Sequence, residues 1–359
     1  MAKKAYIGVT GAARKVKKGY VGVSNTARKL KKAYIGVGGV ARPCWGGGKL
    51  TYYGTITPLS VLNYPIASDT NGTHALFFTS NLGDVYSSEF VKQSVTSFSN
   101  IWEPGMAYNG AYFVAAHSTN KSGYSAEVTA YNDAFTVFTP TGLCAARRVR
   151  DNSASVGSYA LFAGGVNVSS AADAYDQNLT RTNPTGLSAG RHYSFGASTK
   201  EYGVIASGNV GNSMTATVDV YDRTLTRSTV EGLSVGRQFG GTAANGETII
   251  FAGGETYAGI LDTVDVYDAS LTRSTISSLS TPRKWLAGLY IDGYYVFSGG
   301  YNTSTDPLNV TDVYDESLVH TIGTQLSVGR REEAAVTLGN YGLFSGGYKT
   351  TNVDVFTVI

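Results

Sequence analysis

The sequence predicts an all-β chain in which residues 50–359 close into a seven-bladed β-propeller, preceded by a short arm of β-hairpin repeats. Three observations carry the prediction. A motif returns every 44 to 47 residues, marked by Leu143, Leu187, Leu233, Leu279 and Leu326. Each repeat holds strand-length segments separated by turn residues, and four short strands in a repeat of that length are the signature of a propeller. The 44 Gly and 25 Tyr against only 8 Pro suit strands joined by tight turns.

The arm comes first. Residues 1–49 carry twelve Lys and Arg and no acidic residue, while residues 50–359 hold the other 17 basic residues against all 26 acidic ones, a net of −9. A basic arm on an acidic body implies different partners for the two parts. Three 14-residue units follow one another: Lys3–Val16, Lys17–Leu30 and Lys31–Cys44. Each reads as a YxGV strand, a turn pair and a returning strand. The pairs Thr10-Gly11, Ser24-Asn25 and Gly38-Gly39 tolerate the positive φ of a two-residue hairpin turn. The units are expected to join into a meander with Lys17, Lys18, Lys31 and Lys32 at the return corners. So few apolar groups make a thin core, and units this small need a partner. Docking onto another subunit through Tyr6, Tyr20, Tyr34 and those lysines is therefore expected. Charge alone would also suit nucleic acid, but no nucleic-acid-binding motif accompanies it, so nucleic acid is not the expected partner. Pro43 to Gly48 reads as a hinge, which divides the chain into an arm (1–45), a glycine hinge (46–49) and the propeller (50–359).

Within each blade the first strand ends at a hairpin signal such as Asn109-Gly110, Asn245-Gly246 or Asp292-Gly293. The second is a continuous apolar run, seen near Leu76, Phe113, Leu161, Val204, Ile249, Val296 and Leu343; such runs imply burial on both faces. Seven runs give seven blades. The third strand alternates as VDVYD around Tyr175, Tyr221, Tyr267 and Tyr314, and the fourth is rich in Thr and Leu. The C-terminal Val353–Ile359 matches a third strand and leaves the last blade one strand short. Leu50–Val61 has the fourth-strand pattern and is expected to complete it, sealing the ring and removing an exposed edge.

Alternating strand direction sorts the loops onto two faces. The second-to-third loops, at 117–125, 166–172, 209–216, 255–262 and 301–310, are rich in Tyr, Asn, Ser, Thr and Gly. That composition suits adaptable recognition, with Tyr257 and Tyr301 as candidate contacts. The same face carries a repeated arginine, Arg147, Arg191, Arg237, Arg283 and Arg330, expected at the start of each innermost strand. A ring of guanidiniums suits carboxylate, phosphate or sulfated ligands. Alternatively each pairs with a carboxylate of the blades, such as Asp219, Asp265 or Asp312.

Catalytic signals are missing. His74, His117, His192 and His320 have no ligand spacing, and Cys44 and Cys144 make neither a disulfide framework nor a metal motif. Glu332-Glu333 are neighbours on a strand and point to opposite faces, so they form no acid–base dyad. A binding protein with no metal or cofactor is expected; a glycosidase built from scattered carboxylates is the alternative. Residues 1–10 show no signal-peptide pattern, and no apolar run is long enough to span a bilayer.

The runs ending in Gly-Gly, the later Tyr and the repeat length resemble kelch repeats over residues 50–359. The fourth-strand Trp of that family is missing, and Thr79-Ser80, Ala115-Ala116 and Ser207-Gly208 stand where Gly-Gly would. The arm resembles the AYIGVGG-ARKVKK arms of structural and tail-region proteins of phages and prophages. The resemblance implies a virion protein made in the host cytoplasm. Its arm would dock to other virion proteins, and its propeller would meet a host cell-surface glycan or protein, or act as scaffold.

Overall fold

The computed structural model describes residues 48–359 except 62–66, 79–81, 97–103, 121–122, 167–168, 303–306 and 349. Before residue 48 it describes six strands by their backbone. Two compact units result, Met1–Leu50 with Val358–Ile359, and Thr51–Thr357.

The second unit is the propeller. Seven four-stranded antiparallel sheets follow one another, and no helix occurs among the described residues. Blade 5 shows the plan: Gly241–Ala244, Ile249–Ala252, Val264–Tyr267 and Arg273–Ile276, paired in that order from the axis outward. The innermost strands begin at Ala67, Gly105, Ser153, Phe195, Gly241, Ala287 and Ala334, and each touches the next, the last returning to the first. All seven apolar runs are second strands. Phe77, Phe113, Phe162, Ile205, Phe251, Phe297 and Phe344 are wholly buried, because each sheet is covered on both faces by its neighbours.

The ring closes as the C-terminal pattern requires. Leu50–Ile56 is the outer strand of blade 7, beside Val353–Val358. Tyr52 donates to Asp354 (2.6 Å) and meets Phe356 edge-on. A repeated latch then joins blade to blade. The third-strand tyrosine is buried, and its hydroxyl donates to a carbonyl just beyond the previous blade's outer strand. Tyr221 reaches Thr185 (2.9 Å), Tyr267 reaches Glu231 (2.7 Å) and Tyr314 reaches Ser277 (2.8 Å). Tyr86 of blade 1 reaches Thr57 (2.8 Å), so the same latch crosses the closure.

The paired glycines are demanded by geometry. In blade 5 Gly253 and Gly254 have φ of 64° and 105°, and a Cβ on Gly253 would lie 2.5 Å from the Arg283 carbonyl oxygen. Blade 4 departs from this. Ser207 takes the left-handed position (φ 57°), held by its hydroxyl to Thr215 (2.7 Å) and Arg237 (2.8 Å) carbonyls. Its second strand runs on to Asn209 through a bulge. Thr79-Ser80 lies outside the described residues, and Ala115-Ala116 ends a strand instead of forming a turn.

The arm is three separate two-stranded hairpins: Ala5–Val9 with Ala12–Val16, Tyr20–Val23 with Thr26–Lys29, and Ala33–Val37 with Val40–Trp45. The 14-residue repeat is visible in the register, Tyr6 opposite Lys15 and Tyr20 opposite Lys29. The expected meander is not formed, since no described strand pairs from one hairpin to the next. Pro43 to Trp45 belong to a strand instead of to the hinge. Pro43 marks where the third unit departs from the repeat, standing opposite Tyr34 beside a register shift. The turn pairs and Lys17, Lys18, Lys31 and Lys32 lie outside the described residues.

Candidate functional site

The five repeated arginines are not at the surface. The innermost strands begin four to six residues after them, and their side chains are 0–2% exposed. Each pairs with the third-strand carboxylate of its own blade. Arg147–Asp173, Arg191–Asp219 and Arg237–Asp265 are 2.7 Å apart, Arg283–Asp312 is 2.6 Å, and Arg330–Asp354 completes the set. Each also donates to a second-strand carbonyl, as Arg237 does to Phe251 (3.1 Å). The serine after each "LS" leucine caps the same carboxylate: Ser188, Ser234, Ser280 and Ser327 all donate to it. Burial pushes Asp312 toward the neutral form, but Arg283, the Ser280 amide and His320 outweigh it and hold the carboxyl below its usual range. With no face toward solvent, these guanidiniums bolt the second and third strands together.

The accessible chemistry lies one and two residues further on. After each arginine comes a polar or cationic residue: Arg148, His192, Gln238, Lys284 and Arg331. In blades 4 to 7 the next residue is left-handed: Tyr193 (φ 54°), Phe239 (60°), Trp285 (54°) and Glu332 (56°). Bulky residues adopt this region only when their surroundings hold them there. For Phe239, Trp285 and Glu332, backbone bonds between blades contribute, Trp285 N–H to the Phe239 carbonyl (2.6 Å) and Glu332 N–H to that of Trp285 (2.9 Å). The outcome is a half-buried aromatic row at the entrance to the ring. Ring centroids are 4.5 Å apart for Tyr193–Phe239, 5.6 Å for Phe239–Trp285 and 5.7 Å for Trp285–Tyr301.

Cations flank the row. Lys284 lies over Trp285 (4.2 Å) and pairs with Glu255 (2.5 Å). Arg148 lies over Tyr193 (4.9 Å) and donates to its hydroxyl. Arg150 reaches Asp151 (3.2 Å) and Glu332 (3.5 Å). Arg331 differs. Its guanidinium sits among Trp285 (5.1 Å), Tyr301 (4.9 Å) and Tyr348 (4.4 Å), and the nearest carboxylate oxygen among the described residues, on Glu332, is 4.0 Å from Nε.

Behind the entrance lies a cavity of about 400 Å³ walled by the innermost strands of all seven blades, mostly Ala, Gly and Ser. Its lining includes Asp69, Asp151 and Glu333 and no Lys, Arg or His. Burial raises Asp69 to about 6, although its carboxylate accepts from the Thr70 and Tyr108 amides (2.7 Å each). Glu333 is 8% exposed, neither carboxyl oxygen has a hydrogen-bond partner of good geometry, and burial raises it to about 8. It packs against Gly299, whose Cβ, if present, would lie 1.9 Å from its Oε1. The Glu332-Glu333 pair is thus divided, one carboxylate at the entrance and the other in the seam between blades 6 and 7.

The other predicted residues fall as follows. Tyr301 belongs to the aromatic row. Tyr257 is 65% exposed at the tip of the Glu255–Thr256/Gly259–Ile260 hairpin. Its hydroxyl joins Asn209 (2.9 Å) and the Gly211 carbonyl (3.0 Å), tying two loops. Tyr6, Tyr20 and Tyr34 lie on the arm hairpins. His74, His117, His192 and His320 sit in four different blades, and no group of three metal-ligating side chains is formed among the described residues. Sequence reasoning missed Tyr193, Phe239, Trp285, Arg331 and Tyr348. The signal was there: beside an unvarying arginine, the following two positions vary in polar and aromatic character.

No family model and no curated protein matches the sequence. Among solved structures, one titled "Structure of YjhT" is similar to this chain, with a TM-score of 0.58, 10% identity, and coverage of 85% of this chain and 97% of that one. At that identity the likeness shows the fold alone: the body of this chain is a seven-bladed β-propeller.

Proposed function

We propose that this is a kelch-type virion protein of a bacteriophage, made in the host cytoplasm and built into the particle. The arm docks to the tail, baseplate, neck or capsid, and the propeller binds a host-surface or virion partner at its entrance. The binding role rests on one observation, the half-buried aromatic row with its flanking cations. Half-buried rings in an otherwise polar surface supply contact area at low entropic cost. The particle assignment rests on the repeated arm phrase and the charge split between arm and body. Kelch kinship rests on the Gly-Gly runs and the third-strand tyrosine.

Deletion of residues 1–45 keeps the closing strand and should leave a folded propeller that fails to enter particles; normal incorporation refutes the docking role. Particles carrying Trp285→Ala should incorporate normally and adsorb poorly to host cells. Unchanged adsorption would refute recognition at the entrance and leave a scaffold.

A further inference from the structure

We infer that the entrance recognises a glycan bearing an anionic group, the aromatic row stacking on sugar rings and Arg331 receiving the anion. This rests on the reading that the entrance is the binding site and adds the class of ligand. Among the described residues, the other cations at the entrance each have a polar partner: Arg148 a tyrosine hydroxyl, Arg150 two carboxylates, Lys284 Glu255. Arg331 alone among them has no hydrogen-bond acceptor among the described residues, and its Nε is buried and orphaned. Its side chain is still 21% exposed. The three surrounding rings hold the guanidinium in place without neutralising it. A planar donor fork fixed in this way is pre-organised for a carboxylate or phosphate.

The charge balance agrees. Glu332, the nearest carboxylate among the described residues, is engaged by Arg150. Glu333, just below, is favoured in its neutral form by burial, so it does little to cancel the arginine. The aromatic row argues for sugar over an acidic peptide. It runs through three successive centroid steps, long enough for more than one ring, with the polar groups of Gln238 and His192 alongside. The Gln238 Oε1 and His192 Nδ1 atoms are also without partners, as suits a ligand rich in hydroxyls.

The test is calorimetric titration of the full-length protein with four probes: poly(glycerol phosphate), polygalacturonate oligomers, neutral dextran and poly-glutamate. Binding is expected to one of the first two, which separates a phosphodiester source of the anion from a carboxylate one. Arg331→Gln should weaken it about tenfold or more at an unchanged melting temperature, and Arg331→Lys should restore only part, because an ammonium lacks the fork. Trp285→Leu should weaken it independently of salt, whereas Arg331→Gln should flatten its salt dependence. Equal binding of dextran, preference for poly-glutamate, no binding to either anionic glycan, or an unaffected Arg331→Gln variant would each overturn the inference. Adsorption that depends on Trp285 but not on Arg331 would sink the ligand class and keep the entrance as the binding site.

Discussion

Burial disfavours the charged form of Glu333 more than the Ala287 amide and the Arg330 and Arg283 charges favour it, and replacing Glu333 by Gln removes that ionisation. The carboxyl is 8% exposed and lacks hydrogen-bond partners of good geometry, and burial raises it from 4.5 to about 8. Between those values the folded protein keeps a proton that the unfolded chain has released. Stability therefore falls with rising pH across the window, being fullest below 4.5 and least above about 8. Each tenfold change in an ionisation equilibrium is worth about 1.4 kcal/mol, so the linkage has a ceiling of about 5 kcal/mol. Glutamine has the same shape and no charge to desolvate. Urea unfolding near pH 5 and pH 8 should show similar stabilities at the lower pH and a variant more stable by a few kcal/mol at the higher. Asp69, raised to about 6, bends both curves in the same direction lower down, so the difference between the two proteins isolates Glu333. Equal slopes for the two proteins would mean that the carboxyl finds a partner or water, and the burial argument would fail.

Arg283→Met strands Asp312 in the core and should cost about 3–5 kcal/mol in urea unfolding, most of it recovered in Arg283→Met/Asp312→Leu; a loss below about 1 kcal/mol would remove the arginines from their bolting role. Gly253→Ala sets a Cβ 2.5 Å from a carbonyl oxygen at a left-handed position and should lower stability by about 1–3 kcal/mol, whereas an unchanged melting temperature would show that the turn can relax. Tyr86→Phe removes the latch across the closure and should cost about 1 kcal/mol; a neutral result would detach the latch from ring stability. The Cys144 thiol, raised by burial and by Asp173, should alkylate with a midpoint above its ordinary value of 9.0, and a midpoint below that value would contradict its hydrogen bond to the carboxylate.

The fold was legible because each blade solves the same burial problem. Runs such as Ile249–Ala252 are apolar throughout since neighbouring sheets cover both faces, and seven runs count seven blades. The strand deficit at the C-terminus and the matching pattern at Leu50–Val61 made closure readable without coordinates, and the strand that forms there is Leu50–Ile56. The arginine register was legible too, but not its direction, because the chain spends four to six residues crossing between blades before the inner strand begins. That crossing hid the aromatic row. It is held by left-handed backbone at Tyr193, Phe239 and Trp285, residues whose side chains normally avoid that region, so no local rule announces it. The same blindness applies to the third-to-fourth turns, where Leu225 and Leu271 take φ of 64° and 61°. The Asp222 and Asp268 carboxylates cap those turns. In the arm, the repeat gave the hairpins, while pairing between them is a tertiary matter that spacing does not encode.

On the proposed phage reading, hydrogen exchange of the full-length protein, with and without a bacterial cell-wall preparation, tests most directly whether the ring entrance is a binding site. Protection confined to the segments around His192–Tyr193, Phe239, Lys284–Trp285, Tyr301 and Arg331 is the expected pattern. Protection at the opposite-face turns instead, such as Asn245-Gly246 and Asp292-Gly293, would contradict it.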